Sequence, residues 1–488
     1  METFTAILEF LTFWLVDQYW FPVFLIGSGI FFTIYLGFPQ IKYFRHGWRI
    51  LSGRYVKDDT KGETTPFQAL TTALSGTVGT GNIGGVALAI FLGGPAAIFW
   101  MWITAFFGMT TKFVEVTLAH KYRETLPDGS ISGGPMYYIE NGLNMRWLAI
   151  LFSVCLLLMC LGTGNMPQIS SIAVVMNDTF NIPKFITGAV LAVLLWMVII
   201  GGIKRIAQIA SKLVPFMAFW YLVGSFAVIF SNYENIIPSL QSIFIHVFTP
   251  TAAVGGFLGA SVAAALTRGV NRGLYSNEAG QGSAPIAHAS SKTENPIEEG
   301  MVSILEPFID TIVICTITGL VILSSGVWTE KFENRFEESS MCYLEGLYED
   351  SNQDDISILQ DYILSCSGPL AYSGEEEVVE GVISNPLITL MHNRSVSENV
   401  IYNQDGAPFN GQININDGKL ETSDLIVTGD SLLLGADLTS KAFSRSIFGV
   451  YGQYIVAIGL LLFAFLSLIH ISEPTRRYAI SYAVFCLK

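Results

Sequence analysis

Residues 75–85 read SGTVGTGNIGG, five glycines and two threonines inside an otherwise apolar span, Phe67 to Leu92. A helix facing lipid cannot carry that composition. Each glycine weakens a helix by roughly 1 kcal/mol relative to alanine, and backbone groups freed in hydrocarbon must find protein, water or a ligand. The stretch therefore predicts a broken membrane helix lining a cavity. Such breaks offer half-helix N-termini to an anionic group and unwound carbonyls to a cation. The alternative is close helix packing through Gly81 and Gly85, a small-xxx-small pair.

The rest of the chain agrees with a membrane setting. Half of the 488 residues are hydrophobic and only 14% are charged, the composition of a polytopic membrane protein rather than a soluble enzyme. Apolar spans run Phe13–Phe38, Phe67–Leu92, Ala96–Ala119, Trp147–Val175, Phe185–Gly202, Leu213–Phe230, Thr251–Leu266, Met301–Ser325 and Ile447–Phe465. Most approach the roughly 20 residues that cross a bilayer. No cleavable signal peptide is expected, because Met1–Glu9 has no basic n-region and the first apolar span is too long for an h-region.

The net charge of −14 is unevenly distributed. Thr329–Ser440 holds 21 acidic and 4 basic residues, a net of −17, so the remainder sums to +3. Acidity is a property of that one segment, and it argues against a nucleic-acid partner. Basic clusters at Lys42–Lys61, Lys121–Arg123, Lys204–Lys212 and Arg268–Lys292 fall on one side if each span crosses once. By the positive-inside rule that side is cytoplasmic, which places the N-terminus and Thr329–Ser440 outside. Short alternating runs, Gln412–Ile415 and Leu425–Val427, make this a small strand-rich extracytoplasmic insertion. Cys342 and Cys366 within it are candidates for a disulfide on the oxidising side. Cys155, Cys160 and Cys315 lie in apolar spans and read as core residues.

Metal-ligand spacing, phosphate loops, nucleophile elbows and dinucleotide fingerprints are lacking, so neither an enzyme nor a cofactor is expected. A second glycine-rich break, TAAVGGFLG at Thr251–Gly259, is separated from the first by four intervening spans and runs in the opposite direction. Paired interruptions in inverted halves point to a midplane substrate site.

Three blocks carry a resemblance: SGTVGTGNIGGVALAI from Ser75, SGGPMYYIENGL from Ser132, and RGVNRGLYSNEAGQGSAPIAHASSKTENPIEEGMVSILEPFIDT from Arg268. Over roughly Phe10–Gly326 and again Gly449–Phe465 the chain resembles the alanine/glycine:cation symporter family. The resemblance implies an all-α polytopic protein of the inner (plasma) membrane with the leucine-transporter-type inverted-repeat fold, two five-helix repeats after one extra N-terminal helix. It also implies sodium-coupled uptake of alanine or glycine. The units expected are a transporter core, 1–328; the acidic insertion, 329–440; a second-repeat helix, 441–465; and a tail, 466–488. The tail's LSLIHISEPTR and ISYAVFCLK resemble translated sequencing adapter, leaving the second repeat truncated.

Site residues follow from the breaks. Gly79, Thr80 and Gly81 are candidates for the substrate carboxylate, through backbone N–H groups at a half-helix start. Thr77 and Asn82 supply oxygens suited to sodium, with helix capping as the alternative. Gln168, after the interruption at Pro167, resembles the family's substrate-contacting glutamine; on the residues alone an interhelical hydrogen bond is equally good. Gly256, Phe257 and Gly259 would form the opposite wall, glycine allowing close backbone approach and Phe257 limiting side-chain size. Glu306 and Asp310, and Lys112 and Glu115, each one helical turn apart, read as gating or structural ion pairs, with a proton relay as the alternative, and Asn277 and Glu278 as part of a cytoplasmic gate. Competing readings are a channel, a non-transporting amino-acid sensor that uses the insertion, and a non-functional truncated transporter.

Overall fold

A computed structural model of the chain describes residues 20–55, 60–127, 129–363, 370–422 and 424–474. Lys57, Cys366 and the tail beyond 474 lie outside them. Among the described residues, four helices are long and apolar enough to cross a membrane: Ala97–Lys121, Gly202–Ser231, Pro296–Ser325 and Gly449–Ile471. A fifth span is a bent pair, Pro66–Thr77 with Gly81–Gly93, and Trp20–Tyr35, Arg146–Met159 and Lys184–Ile199 are shorter apolar helices. Large apolar side chains stand exposed along the outer helices, among them Phe185, Trp196, Phe219 and Phe230. Soluble monomers rarely show contiguous apolar surface of that extent, and lipid is the solvent that tolerates it.

The helix Pro66–Thr77 (α1) starts where the sequence dictates. Thr65 and Gln68 form a reciprocal capping box, Thr65 Oγ1 accepting from Gln68 N–H at 3.2 Å and Gln68 Oε1 from Thr65 N–H at 3.0 Å, with Pro66 in the first turn. This satisfies donors that a helix start leaves open. It ends at the glycine run. The chain then re-enters a π-helical turn, Gly81–Gly85, and continues as Val86–Gly93 (α2), the two halves bent by 55°.

A second π-helical turn, Cys160–Gly164, interrupts the Trp147–Val175 span before Asn165–Phe180, and a third, Phe308–Cys315, lies within Pro296–Ser325. Each lets one extra residue into the helix, so side chains beyond it face a new direction.

The second glycine-rich break differs from the kinked helix its composition suggests. Thr251–Ala260 is a tight hairpin, with antiparallel bridges Thr251↔Ala260 and Val254↔Phe257, and helix resumes only at Val262–Asn277 (α4; the helix Ala97–Lys121 is α3). Gly255 and Gly259 have φ of +56° and +93°, left-handed values at which glycine is unstrained. Ser261 then caps α4 by accepting from Ala264 N–H at 3.1 Å.

Residues 331–432 are strand-rich, as their alternating pattern predicts. Gln412–Ile415 lies within strand Gly411–Asn416, and Val427 opens the pairing of strand Ile426–Leu432 with Lys331–Phe336 in the register Val427↔Phe336. Phe336, Tyr343, Val378, Tyr402, Ile413 and Ile415 form its core. The Tyr343 and Tyr402 hydroxyls hydrogen-bond at 2.9 Å, the partner that buried phenols require. Cys342 is disulfide-bonded, and of the transmembrane-span cysteines Cys160 and Cys315 are buried while Cys155 is exposed.

Candidate functional site

The break between α1 and α2 lines a cavity of about 60 Å³, bounded by Thr77, Gly79, Gly81, Gln168, Tyr275 and Glu278 among others. Thr77 Oγ1 and Gln168 Oε1 are buried there without a hydrogen-bond partner among the described residues. Leaving a buried acceptor unpaired costs roughly 1–3 kcal/mol, and such a cost persists where a ligand supplies the missing bond. A Cβ added to Gly79 would sit 3.5 Å from Gln168 Nε2, so glycine at this position keeps the space between backbone and amide open.

Thr80 and Asn82 do not line the cavity. Asn82 lies behind it, completely buried, and uses both ends of its amide. Its Oδ1 accepts from Gly79 N–H at 2.8 Å, while its Nδ2 donates to Asp310 Oδ1 at 2.7 Å and lies 3.3 Å from Ser276 Oγ and Cys315 Sγ. Ser276 and Thr311 hydroxyls donate to Asp310 Oδ2, each at 2.7 Å. Three elements thus meet at one carboxylate: the π-helical turn after α1, the end of α4, and the turn Phe308–Cys315. Carboxylate and hydroxyl oxygens are ligands that hard cations take, whereas the Asn82 amide presents its nitrogen to Asp310.

Asp310 therefore separates from Glu306, four residues before it in the same span. Glu306 pairs with Lys112 on α3, Nζ to Oε1 at 3.0 Å, with both side chains fully buried. His288 of helix Ser283–Ala289 (α5) bonds Glu299 through Nδ1 at 2.6 Å, and its Nε2 stands 3.9 Å from Glu306 Oε2. Glu115 pairs with neither; its Oε2 accepts from Gly280 N–H at 3.2 Å.

Gly256, Phe257 and Gly259 do not join the cavity. Phe257 is 1% exposed, its ring edge-on to Trp328 at 5.1 Å and packed with Phe91, Ala260 and Leu432. Gly256 N–H donates to Thr329 O at 2.8 Å, and Gln360 Nε2 donates to Leu258 O. These residues seat the strand-rich region on the hairpin, and their glycines serve the tight turn. Arg394, from the same region, donates to Leu92 O at the end of α2, where a cation meets the negative end of the helix dipole. Burial draws the Arg394 guanidinium down to about 10.

Comparison with known proteins agrees with this architecture. The profile of the sodium:alanine symporter family matches residues 1–347. The chain belongs to the sodium:alanine symporter family. A transporter from Haemophilus influenzae is 46% identical over 308 residues, 63% of this chain and 67% of that protein. The sodium/alanine symporter AgcS of Methanococcus maripaludis is 44% identical over 309 residues, 62% and 67% of the two chains. The transporter YflA of Bacillus subtilis is 42% identical over 335 residues, covering 68% and 70%. Sodium-coupled amino-acid symport by a multi-pass membrane protein is the activity that family and relatives indicate.

The sequence does not bring Asp310 and Ser276 to the broken helix, and it assigns Glu278 to a gate, whereas the structure puts Glu278 on the cavity wall. The signal for Ser276 lies in the block that begins at Arg268, where Ser276, Asn277 and Glu278 close α4.

Proposed function

We propose that this chain imports alanine or glycine with sodium, through a leucine-transporter-type fold of two inverted repeats. The N-terminus and the strand-rich insertion lie outside the cell. The observation that carries the reading is the cavity at the α1–α2 break, with two unpartnered acceptors on its wall and a convergent carboxylate behind it. At about 60 Å³ it holds roughly four water molecules, which favours the smallest amino acids.

In this reading the substrate carboxylate meets the amide of Gly81, which lines the cavity, since Gly79 N–H is already taken by Asn82. Gln168 supplies an acceptor or donor to the substrate. Sodium takes the Asp310 carboxylate, with Thr77 and, once its amide turns Oδ1 away from Gly79 N–H, Asn82 as neutral partners. The three donors around Asp310 stabilise its charged form, and the ion takes the place of some of them. Net binding of substrate and ion together then favours the closed site over the open one, and transport follows as the two states exchange.

The test is uptake of labelled alanine and glycine into proteoliposomes with and without an inward sodium gradient. Gradient-driven accumulation is expected; accumulation indifferent to sodium sinks the coupling, and none at all sinks the substrate. A sensor reading has one observation in its favour, a groove of about 540 Å³ in the strand-rich region beside Tyr348, Ile401 and Tyr402. Deleting residues 331–432 while keeping membrane insertion separates the two, because a symporter keeps its substrate site.

A further inference from the structure

A zwitterionic amino acid presents two charges to its site, and a half-helix start answers only the negative one. Resting on the symport reading above, the geometry points to Glu278 as the positioning residue for the substrate ammonium, selecting amines over uncharged isosteres.

Glu278 is the charged side chain among the residues lining the cavity, which it shares with Gly79, Gln168 and Tyr275. It terminates α4 in a left-handed conformation, φ +52°, with its N–H on Leu274 O at 3.1 Å. That C-terminal position ordinarily belongs to glycine or asparagine, and a non-glycine residue held there is a pointer to function when its side chain faces a site. The pose carries the carboxylate off the helix axis and onto the cavity wall. Ser283 Oγ donates to its Oε2, which orients the group and leaves Oε1 for a second partner.

The neighbouring charges agree. Lys112, the buried cation of this region, gives its hydrogen bond to Glu306 rather than to Glu278. Glu278 is therefore a half-buried carboxylate that makes no ion pair within 4 Å among the described residues, Lys112 acting on it only from farther away. Gln168 Oε1, 5% exposed as a residue and unpartnered, faces the same cavity. An ammonium lodged between the two receives a charged and a neutral acceptor, while the amides of the α1–α2 break hold the other end. Ordinary helix capping accounts for the Ser283 contact alone and predicts no dependence on the charge of the ligand.

That difference sets the test. L-Lactate has the size and carboxylate of alanine with a hydroxyl in place of the ammonium, so purified protein in nanodiscs is titrated with both in saturating sodium. The wild type is expected to prefer alanine at least tenfold. Glu278→Gln should weaken alanine at least tenfold and leave lactate within twofold, while Glu278→Asp, which keeps the charge, retains most of the preference. Equal losses for both ligands, or wild-type binding of lactate as tight as alanine, would overturn the assignment. Absence of any sodium-dependent alanine binding by the wild type overturns the symport reading and this role with it, whereas intact alanine binding by Glu278→Gln overturns the role alone.

Discussion

Asn82 and Asp310, 228 residues apart in sequence, meet through a 2.7 Å hydrogen bond from Nδ2 to Oδ1 in a contact fully shielded from solvent. The bond ties the broken helix to the span that carries Glu306, the buried partner of Lys112 on α3. A cation bound at Asp310 would thus be felt at the same break that lines the cavity, which is the physical content of coupling between two ligands.

Asp310→Asn should raise the sodium concentration for half-maximal alanine binding at least tenfold. The substitution puts an amide N–H₂ where Ser276 and Thr311 donate, and bonds to a charged acceptor are worth about 1.5–3 kcal/mol each, so the melting temperature should fall too. A sodium titration of alanine binding decides the matter: an unchanged midpoint removes Asp310 from the ion site.

Gln168→Ala should weaken alanine binding at least tenfold, which corresponds to about 1.4 kcal/mol, with little effect on melting because Gln168 Oε1 has no internal partner to lose. Isothermal titration of purified protein reads it directly. Unchanged affinity takes Gln168 out of the pocket.

Lys112→Met should destabilise the protein by about 3–5 kcal/mol, because Glu306 is left charged and fully buried without its partner. The double variant Lys112→Met/Glu306→Leu should recover most of that loss, since removing both charges also removes both desolvation costs. Thermal melting of the wild type, the two single variants and the double variant in detergent forms the cycle. A double variant no better than Lys112→Met contradicts the pairing.

Legibility in the sequence tracks how local the physics is. The α1–α2 break is readable because glycine weakens a helix wherever it stands, and Gln168 because Pro167 marks an interruption beside it. Asp310 is harder to place: a spacing of four from Glu306 puts both on one helix face, and only the π-helical turn Phe308–Cys315 sends them to different partners. The Thr251–Gly259 run misleads for another reason. Glycine serves an unwound helix and a tight hairpin equally well, and the choice rests on contacts with Trp328 and Thr329, more than 70 residues away in the sequence. Glu278 is hidden because its left-handed cap depends on the turn through Gly280 and Gly282 into α5, both of which also have positive φ.

Phe257→Ala should lower stability by about 3–5 kcal/mol through the cavity it leaves beside Phe91 and Trp328, and alanine affinity should stay within twofold. The ring packs at the junction with the strand-rich region rather than on the cavity wall. Melting and alanine titration on the same preparation separate the effects. A tenfold loss of affinity in a protein that melts normally would return Phe257 to the substrate site.

Acid should loosen the strand-rich region. His392 is buried, stacked on Phe336 at 4.1 Å and bonded through Nδ1 to Ser431 Oγ at 2.6 Å, and burial lowers its pKa to about 4 from an ordinary value of about 6.5. Between those values the unfolded chain binds a proton that the native imidazole refuses, so stability is full above about pH 6.5 and falls as pH drops toward 4. The difference is worth roughly 3 kcal/mol. His392→Phe should flatten this part of the pH dependence, because the replacement keeps the stacked ring and has nothing to titrate. Amide exchange of residues 331–432 followed from pH 7 to pH 4 measures it, and an equal acid response in wild type and His392→Phe would show that the destabilising proton binds elsewhere.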